Sequence, residues 1–321
     1  MLIVFDLEGP LTPTDHAYEV CALLPEGRRL FERLSRYDDL LTLEGRENYQ
    51  AGDTLKLILP FLLVHGVTDD DLVKVSQKSP LTPGAKECVA DIYQRGWMTG
   101  VISTAYQPHA FAIGDRLGIY RDMIVATSIS FSQWESLVTE DAEALVLPWE
   151  ERILRCRADD DEELKRLLDE FFWVHLIRYP LGVVLETPIM GGKRKTEALS
   201  QMAHRLGLPL SQCVFIGDSI TDCHALNLLR QSNGLPIVFN GNEYALPYGK
   251  VGVASDNLTA VLPILSAFER GGWQEVQKLV EAESGRPDSP YQWLGDEDWS
   301  KAVAVHRQFR SLLRGLAASL G

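Results

Sequence analysis

The apolar run Leu2–Phe5 ends abruptly in Asp6, and Glu8 and Gly9 follow before the chain turns polar. A second apolar run, residues 213–216, leads into Gly217, Asp218 and, four residues on, Asp222. A third, residues 98–103, ends in Ser103 with Thr104 behind it. Short runs with no polar face read as strands buried on both sides, which is the condition of a parallel sheet covered by helices. In open sheets of that kind, ligands bind beyond the carboxyl ends of the strands. Asp6, Ser103 and Asp218 all sit at such ends.

The rest of the chain supports this frame. Helical spacing over residues 85–96, 109–118, 197–206 and 221–230 alternates with apolar runs at 98–103, 123–126, 213–216, 237–239 and 251–253. Strands alternating with helices predict an α/β fold, a doubly wound parallel sheet. Two segments interrupt the alternation. Residues 14–78 read as mostly helical, with Leu30, Phe31, Leu34, Tyr37, Leu40 and Leu41 at helical spacing and a greasy helix over 54–64. Thr68 stands at an N-cap position before the acidic turn Asp69–Asp71. This block is expected to be an inserted helical cap. Residues 128–190 form a second insertion, with a helix expected over 161–176 and a strand over 182–185. The expected division is a core of residues 1–13 and 79–267, a cap of 14–78, and a tail of 268–321. In the tail, Trp273, Tyr291, Trp293 and Trp299 would dock on the core, and residues 299–320 would close the chain as a helix with an apolar stripe.

Composition narrows the function classes. The chain has 321 residues, 45% hydrophobic and 24% charged, enough for a large core. Its net charge of −14 repels nucleic-acid phosphates and anionic lipid, so neither partner is expected. A phosphorylated substrate would need local positive charge or a metal. Cys21, Cys88, Cys156, Cys213 and Cys223 are widely spaced and form no Cys-x-x-Cys pair, which points to a reducing, cytoplasmic setting. The greasiest stretch, residues 57–64, contains Pro60 and is too short to span a bilayer.

Taken singly, each acidic or basic residue here has an ordinary use as a cap, a turn or a solvated face. Their order along the chain suggests phosphoryl transfer instead. That chemistry needs an attacking carboxylate, an acid that later serves as base, donors for the phosphoryl oxygens, and a hard cation. Asp6 is the expected nucleophile and Glu8 the acid/base. Ser103 or Thr104 would bind a phosphoryl oxygen. Lys195, or its neighbour Lys193, would neutralise charge. Asp218 and Asp222 offer hard oxygen ligands for Mg²⁺.

In this arrangement the chain resembles the haloacid dehalogenase-like phosphatases, and the phosphoserine phosphatases among them. The resemblance covers residues 1–12 and roughly 80–260. DLEG at 6–9 is similar to the family's first motif, IST at 102–104 to its second, the lysine of KTEAL at 195–199 to its third, and GDSITD at 217–222 to its fourth. Lys195 precedes Asp218 by 23 residues, and FNGN at 239–242 resembles a segment that follows the last motif. The resemblance implies Mg²⁺ held by Asp6, the carbonyl of Glu8 and Asp218, with Asp222 supporting. Two departures stand out. Glu8 replaces the usual second aspartate, as in enolase-phosphatases, and Pro10 replaces a threonine or serine, removing an N–H and a hydroxyl. The full pattern, with DLEGP and both insertions, looks most like archaeal and bacterial proteins labelled energy-converting hydrogenase A subunit R, a label that implies association with a hydrogenase.

The expected activity is a Mg²⁺-dependent phosphatase acting on a small phosphorylated metabolite. Phosphotransfer to another hydroxyl, or a non-catalytic subunit that keeps the fold, are the alternatives. By position, Asp15 would be an acidic specificity residue of the cap, with Arg46 or Lys56 as its basic counterpart.

Overall fold

The computed structural model describes residues 1–321 except 48, 158, 284, 285, 287, 295–298, 316, 317 and 319–321. Seven strands, β1 (Leu2–Phe5), β2 (Met98–Tyr106), β3 (Ile124–Thr127), β4 (Cys213–Gly217), β5 (Leu235–Phe239), β6 (Val251–Val253) and β7 (Tyr291–Trp293), form one sheet. Its order is β3-β2-β1-β4-β5-β6-β7. All neighbours are parallel except β7, which runs antiparallel to β6. All four residues of β1 and all five of β4 are buried, as strands covered on both faces must be.

Register places the chemistry. Phe5 pairs with Ile216 across β1 and β4, so the next residues out are Asp6 and Gly217, with Asp218 one step further. Phe5 also pairs with Val101 of β2, which sets Ser103 and Thr104 just beyond the same edge. Strand order reverses at β1, where a crevice opens in such sheets.

Residues of the two inserted segments share one hydrophobic cluster, separate from the cluster around the sheet. The helix Gly27–Leu43 buries Leu30, Phe31, Leu34, Tyr37 and Leu41 along one stripe. The helices Glu140–Arg155 and Asp161–Glu170 pack against it and bring Val146, Ile153, Leu164, Leu167 and Leu168. Phe61, Phe171 and Phe172 are fully enclosed there. Each such side chain contributes about 1.5–3 kcal/mol, so the second insertion supplies much of what stabilises the first.

Local expectations differ from the structure at three places. Residues 182–185 are not a strand; they belong to a 3₁₀ helix, Pro180–Glu186. Leu181, Gly182, Val184 and Leu185 are its buried positions, a helical spacing that a short apolar run leaves ambiguous. The single helix expected over 54–64 is two, Thr54–Leu57 and Leu59–Val64, with Pro60 in the first turn of the second. The terminal helix is Ser300–Arg314, and most of the expected continuation to 320 lies outside the described residues. Thr68 does cap its helix, in a reciprocal capping box with Asp71.

The tail lies on the sheet. Trp273 Nε1 donates to the Gly234 carbonyl at 2.7 Å, and the Lys250 ammonium sits 4.5 Å from the Trp273 ring centre and 5.1 Å from that of Trp293. His306 Nδ1 accepts from the Gly241 N–H at 2.9 Å, which ties the terminal helix to the loop after β5.

A buried histidine pair joins the helix His16–Cys21 to the helix Gln107–Leu117. The His16 and His109 rings stack with centroids 4.2 Å apart. Burial pushes His16 down to about 4, against the pull of the Leu72 carbonyl. Burial, then His16 and Arg116, hold His109 well below the ordinary value. Neither ring nitrogen of His109 has a partner among the described residues. The unfolded chain takes up a proton at this residue below about pH 6.5 while the folded chain does not, so His109 erodes stability as pH falls through that window, by up to about 1.4 kcal/mol per pH unit. His109→Phe should therefore stabilise the protein more at pH 5 than at pH 8 in urea unfolding. An equal effect at both values would contradict the assignment.

Candidate active site

Asp6 leaves β1 with its backbone N–H donating to the Ile216 carbonyl at 2.8 Å, so the main chain stays in register with β4 to the last residue. Its carboxylate is held on both oxygens: Leu7 N–H donates to Oδ1 at 2.7 Å, and Lys195 Nζ lies 3.0 Å from Oδ2. Gly9 then turns at φ +110°, and a Cβ there would overlap the Asp218 carboxylate.

Lys195 is fully buried and, besides Asp6, bonds Asp222 Oδ1 at 2.7 Å and Thr221 Oγ1 at 3.1 Å. Lys193 lines a different cavity, together with Tyr49 and His224, so Lys195 is the one of the two that lies beside Asp6. Asp222 Oδ2 accepts from the N–H groups of Asp218 and Ser219 at 2.9 and 3.1 Å. It locks the turn that presents Asp218.

Asp6, Asp218 and Asp222 place ligand oxygens within 4.8 Å of one another, all on buried residues. Asp218 Oδ1 is buried and has no hydrogen-bond partner among the described residues. A buried carboxylate oxygen left unpaired is costly, and a hard divalent cation is the partner this donor set suits. The charge count agrees. Asp6, Glu8, Asp15, Asp218 and Asp222 face the cations Lys195, Arg310 and Arg314, leaving an excess of negative charge.

The electrostatics follow from that excess. Burial first, then Asp222 and Asp218, push the Asp6 carboxyl up to about 8 despite Lys195. Burial and the Asp15 charge hold Glu8 well above the carboxylate range, although Glu8 Oε1 accepts from the His16 N–H at 2.7 Å. Burial also raises Asp15, whose Oδ1 caps its helix by accepting from Tyr18 N–H at 2.9 Å. Burial would depress the Lys195 ammonium, but Asp222 and Asp6 outweigh it and raise it above the ordinary lysine value.

Asp6, Glu8, Asp15, Asp38, Thr54 and Thr104 line one small cavity of about 70 Å³. Thr104 Oγ1 is buried there without a partner among the described residues. Ser103 is fully buried outside that lining, its Oγ accepting from Ala105 N–H at 3.1 Å. Of the two hydroxyls, Thr104 is the one in the cavity wall.

Arg46 and Lys56 do not reach this cavity, contrary to expectation. Arg46 Nη1 bonds Asp169 Oδ1 at 2.8 Å, and its guanidinium lies 4.5 Å from the Trp173 ring centre. Lys56 Nζ bonds Asp53 Oδ2 at 2.5 Å. Each cation is captured by a nearby acid, and both line a separate pocket with Tyr49 and Arg194.

Besides Lys195, two cations reach the site from the terminal helix. Arg310 Nη1 bonds Asp218 Oδ2, and Arg314 Nη1 meets the same oxygen at 2.8 Å. Sequence reasoning missed both. The signal was the spacing His306, Arg310, Arg314, which puts three polar side chains on one helix face.

The sequence pattern of haloacid dehalogenase-like hydrolases matches residues 1–229. No curated protein matches the chain. Among solved structures, a gene product of Archaeoglobus fulgidus is 30% identical over 100% of this chain and 98% of its own, with a TM-score of 0.89. A phosphoserine phosphatase carrying a phospho-aspartyl intermediate analogue is 16% identical over 82% of this chain and 97% of its own, with a TM-score of 0.52. A phosphoserine phosphohydrolase-like protein from Francisella tularensis is 16% identical over 82% of this chain and 98% of its own, with a TM-score of 0.50. At that identity the last two show a shared fold. With the family pattern running from β1 through the helix after Asp222, the chain belongs to the haloacid dehalogenase-like hydrolases.

Proposed function

We propose that this protein is a Mg²⁺-dependent phosphatase that hydrolyses a small phosphomonoester through a phosphoaspartate on Asp6. The observation that carries the reading is the Asp6 carboxylate pinned between Leu7 N–H and Lys195, beside Asp218 and Asp222 at the strand ends. The solved phosphatase with a phospho-aspartyl analogue on the same fold supports it.

In the first half-reaction an Asp6 oxygen attacks phosphorus, the ester P–O bond breaks, and the leaving oxygen takes a proton from Glu8. In the second, Glu8 takes a proton from water as the water oxygen attacks phosphorus. The Asp6–phosphorus bond then breaks, releasing phosphate and restoring the carboxylate. Glu8 suits the acid role because its environment holds the proton well above the usual carboxylate range. Lys195 and the Thr104 hydroxyl would hold phosphoryl charge. Held by Asp6 and Asp218 with Asp222 behind, Mg²⁺ would supply the positive charge that keeps Asp6 ionised and admits an anionic substrate.

A cavity of about 70 Å³ is far below the roughly 300 Å³ or more of an open ligand pocket. Residues Asp15, Phe31, Asp38 and Leu55 of the helical block help to line it, so we read residues 14–78 as a cap that must open to admit substrate. The test is phosphate release from a broad panel of phosphomonoesters, with Mg²⁺ and with EDTA. Release confined to the Mg²⁺ arm is expected. No release from any ester, by protein shown calorimetrically to bind Mg²⁺, would overturn the proposal.

A further inference from the structure

Arg314 holds Asp218 and also faces the cavity. Its side chain is only 6% exposed, and it is the one cation among the described residues that line the space beside Asp6, Glu8 and Asp15. A guanidinium carries its charge at any working pH.

One of its donors is committed and one is not. Nη1 bonds Asp218 Oδ2 at 2.8 Å, whereas Nε is buried with no partner among the described residues. An unpaired buried N–H is costly, and more so on a charged group. A guanidinium presents its donors as a planar fork that fits two oxygens of a phosphoryl group. Arg310 differs, for its Nε donates to the Ala318 carbonyl at 2.9 Å and its Nη1 to Asp218, so it acts on the protein itself.

Resting on the phosphatase reading above, we infer that Arg314 binds the phosphoryl group of the substrate, its fork closing on non-bridging oxygens in the Asp6 cavity. The terminal helix thereby contributes a substrate-binding residue from the far end of the chain. This also answers the charge problem of a strongly acidic protein, since Arg314 adds a cation at the cavity wall where phosphate must enter.

The test is calorimetric titration with inorganic phosphate in the presence of Mg²⁺, beside titration with Mg²⁺ alone, for wild type, Arg314→Met, Arg314→Lys and Arg310→Met. Loss of a charged fork should weaken phosphate binding by about tenfold or more in Arg314→Met, with Arg314→Lys recovering part and Mg²⁺ affinity shifting by less than about threefold. Phosphate affinity within about twofold of wild type in folded Arg314→Met would overturn the inference, as would a loss that only follows an equal loss of Mg²⁺ affinity, because then Arg314 merely orients Asp218. Should Arg314→Met not fold, Arg314→Lys decides: unchanged phosphate binding overturns the inference, and a loss of about threefold or more supports it. Wild type that binds Mg²⁺ but no phosphate would sink the phosphatase reading as well. Wild type that binds both, with Arg314→Met binding equally, sinks only the role of Arg314.

Discussion

Asp6→Asn is expected to lower phosphate release by about a thousandfold or more while the protein stays folded, because the substitution removes the nucleophile and leaves its shape. Asparagine keeps an oxygen that can accept from Lys195 or from Leu7 N–H. A stability readout accompanies the kinetic one. In the metal-free protein the Asp6 carboxyl is raised to about 8, mainly by burial, against a reference value of 3.8. Between those values the folded state holds a proton that the unfolded chain has lost. Wild-type stability therefore carries a penalty that grows as pH rises through that window. Asn has no such penalty, so the stability of Asp6→Asn relative to wild type should climb from about pH 4 to about pH 8. A flat difference in urea unfolding across that range would show that Asp6 is not held protonated in the metal-free fold.

Lys195→Met should have the largest effect on stability. Lys195 is fully buried between Asp6, 5% exposed, and Asp222, which is fully buried. Removing the cation leaves two carboxylates facing each other across an apolar side chain. Breaking a buried ion pair from one side costs about 3–5 kcal/mol, since the remaining charge has neither water nor partner. Asp222 retains the N–H groups of Asp218 and Ser219, which limits the loss on its side. Measured by urea unfolding, the loss should be greatest near pH 8 and smaller near pH 5, where a proton can neutralise Asp6. A loss below about 1 kcal/mol at pH 8 would mean that the triad of Lys195, Asp6 and Asp222 does not organise this end of the sheet.

The strand edge that carries Asp6 and Asp218 was legible in the sequence because local chemistry and periodicity coincide there. Runs without a polar face read as buried strands, and Asp6, Ser103 and Asp218 at their ends marked the side where the candidate site lies. Adjacent alternatives were not legible. Ser103 and Thr104 differ by one step at the end of a strand, where successive side chains point to opposite faces, and only the register with β1 puts Thr104 in the cavity. Lys193 and Lys195 differ by half a helical turn, with the same consequence. Arg46 looked available because its captor, Asp169, could not be matched to it from sequence, whereas Asp53, three residues before Lys56, was a local partner the sequence did offer. Asp169 is more than a hundred residues from Arg46 and belongs to the other insertion. The greatest omission, the pair Arg310 and Arg314, has the same origin. The tail reads as an amphipathic helix with aromatic neighbours, and nothing local says that its polar face enters the active-site end of the sheet. Antiparallel β7 on the sheet edge and the His306 contact to Gly241 bring it there.

The same long-range logic explains the helical layer. The stripe on Gly27–Leu43 demanded a partner, and the segment 128–190 provides it by packing rather than by any sequence signature. The cavity lining is drawn from three separated stretches of chain: Asp15 and Asp38 from the first insertion, Thr104 from the core, and Arg314 from the tail.

The most direct test of the central claim is to quench the enzyme with acid during turnover of its best phosphomonoester and to measure the mass of its peptides. The proposed phosphoaspartate requires one phosphoryl group on the peptide that carries Asp6, absent without Mg²⁺ and absent in Asp6→Asn. Turnover with that peptide unmodified, or a phosphoryl group that persists in Asp6→Asn, would contradict it.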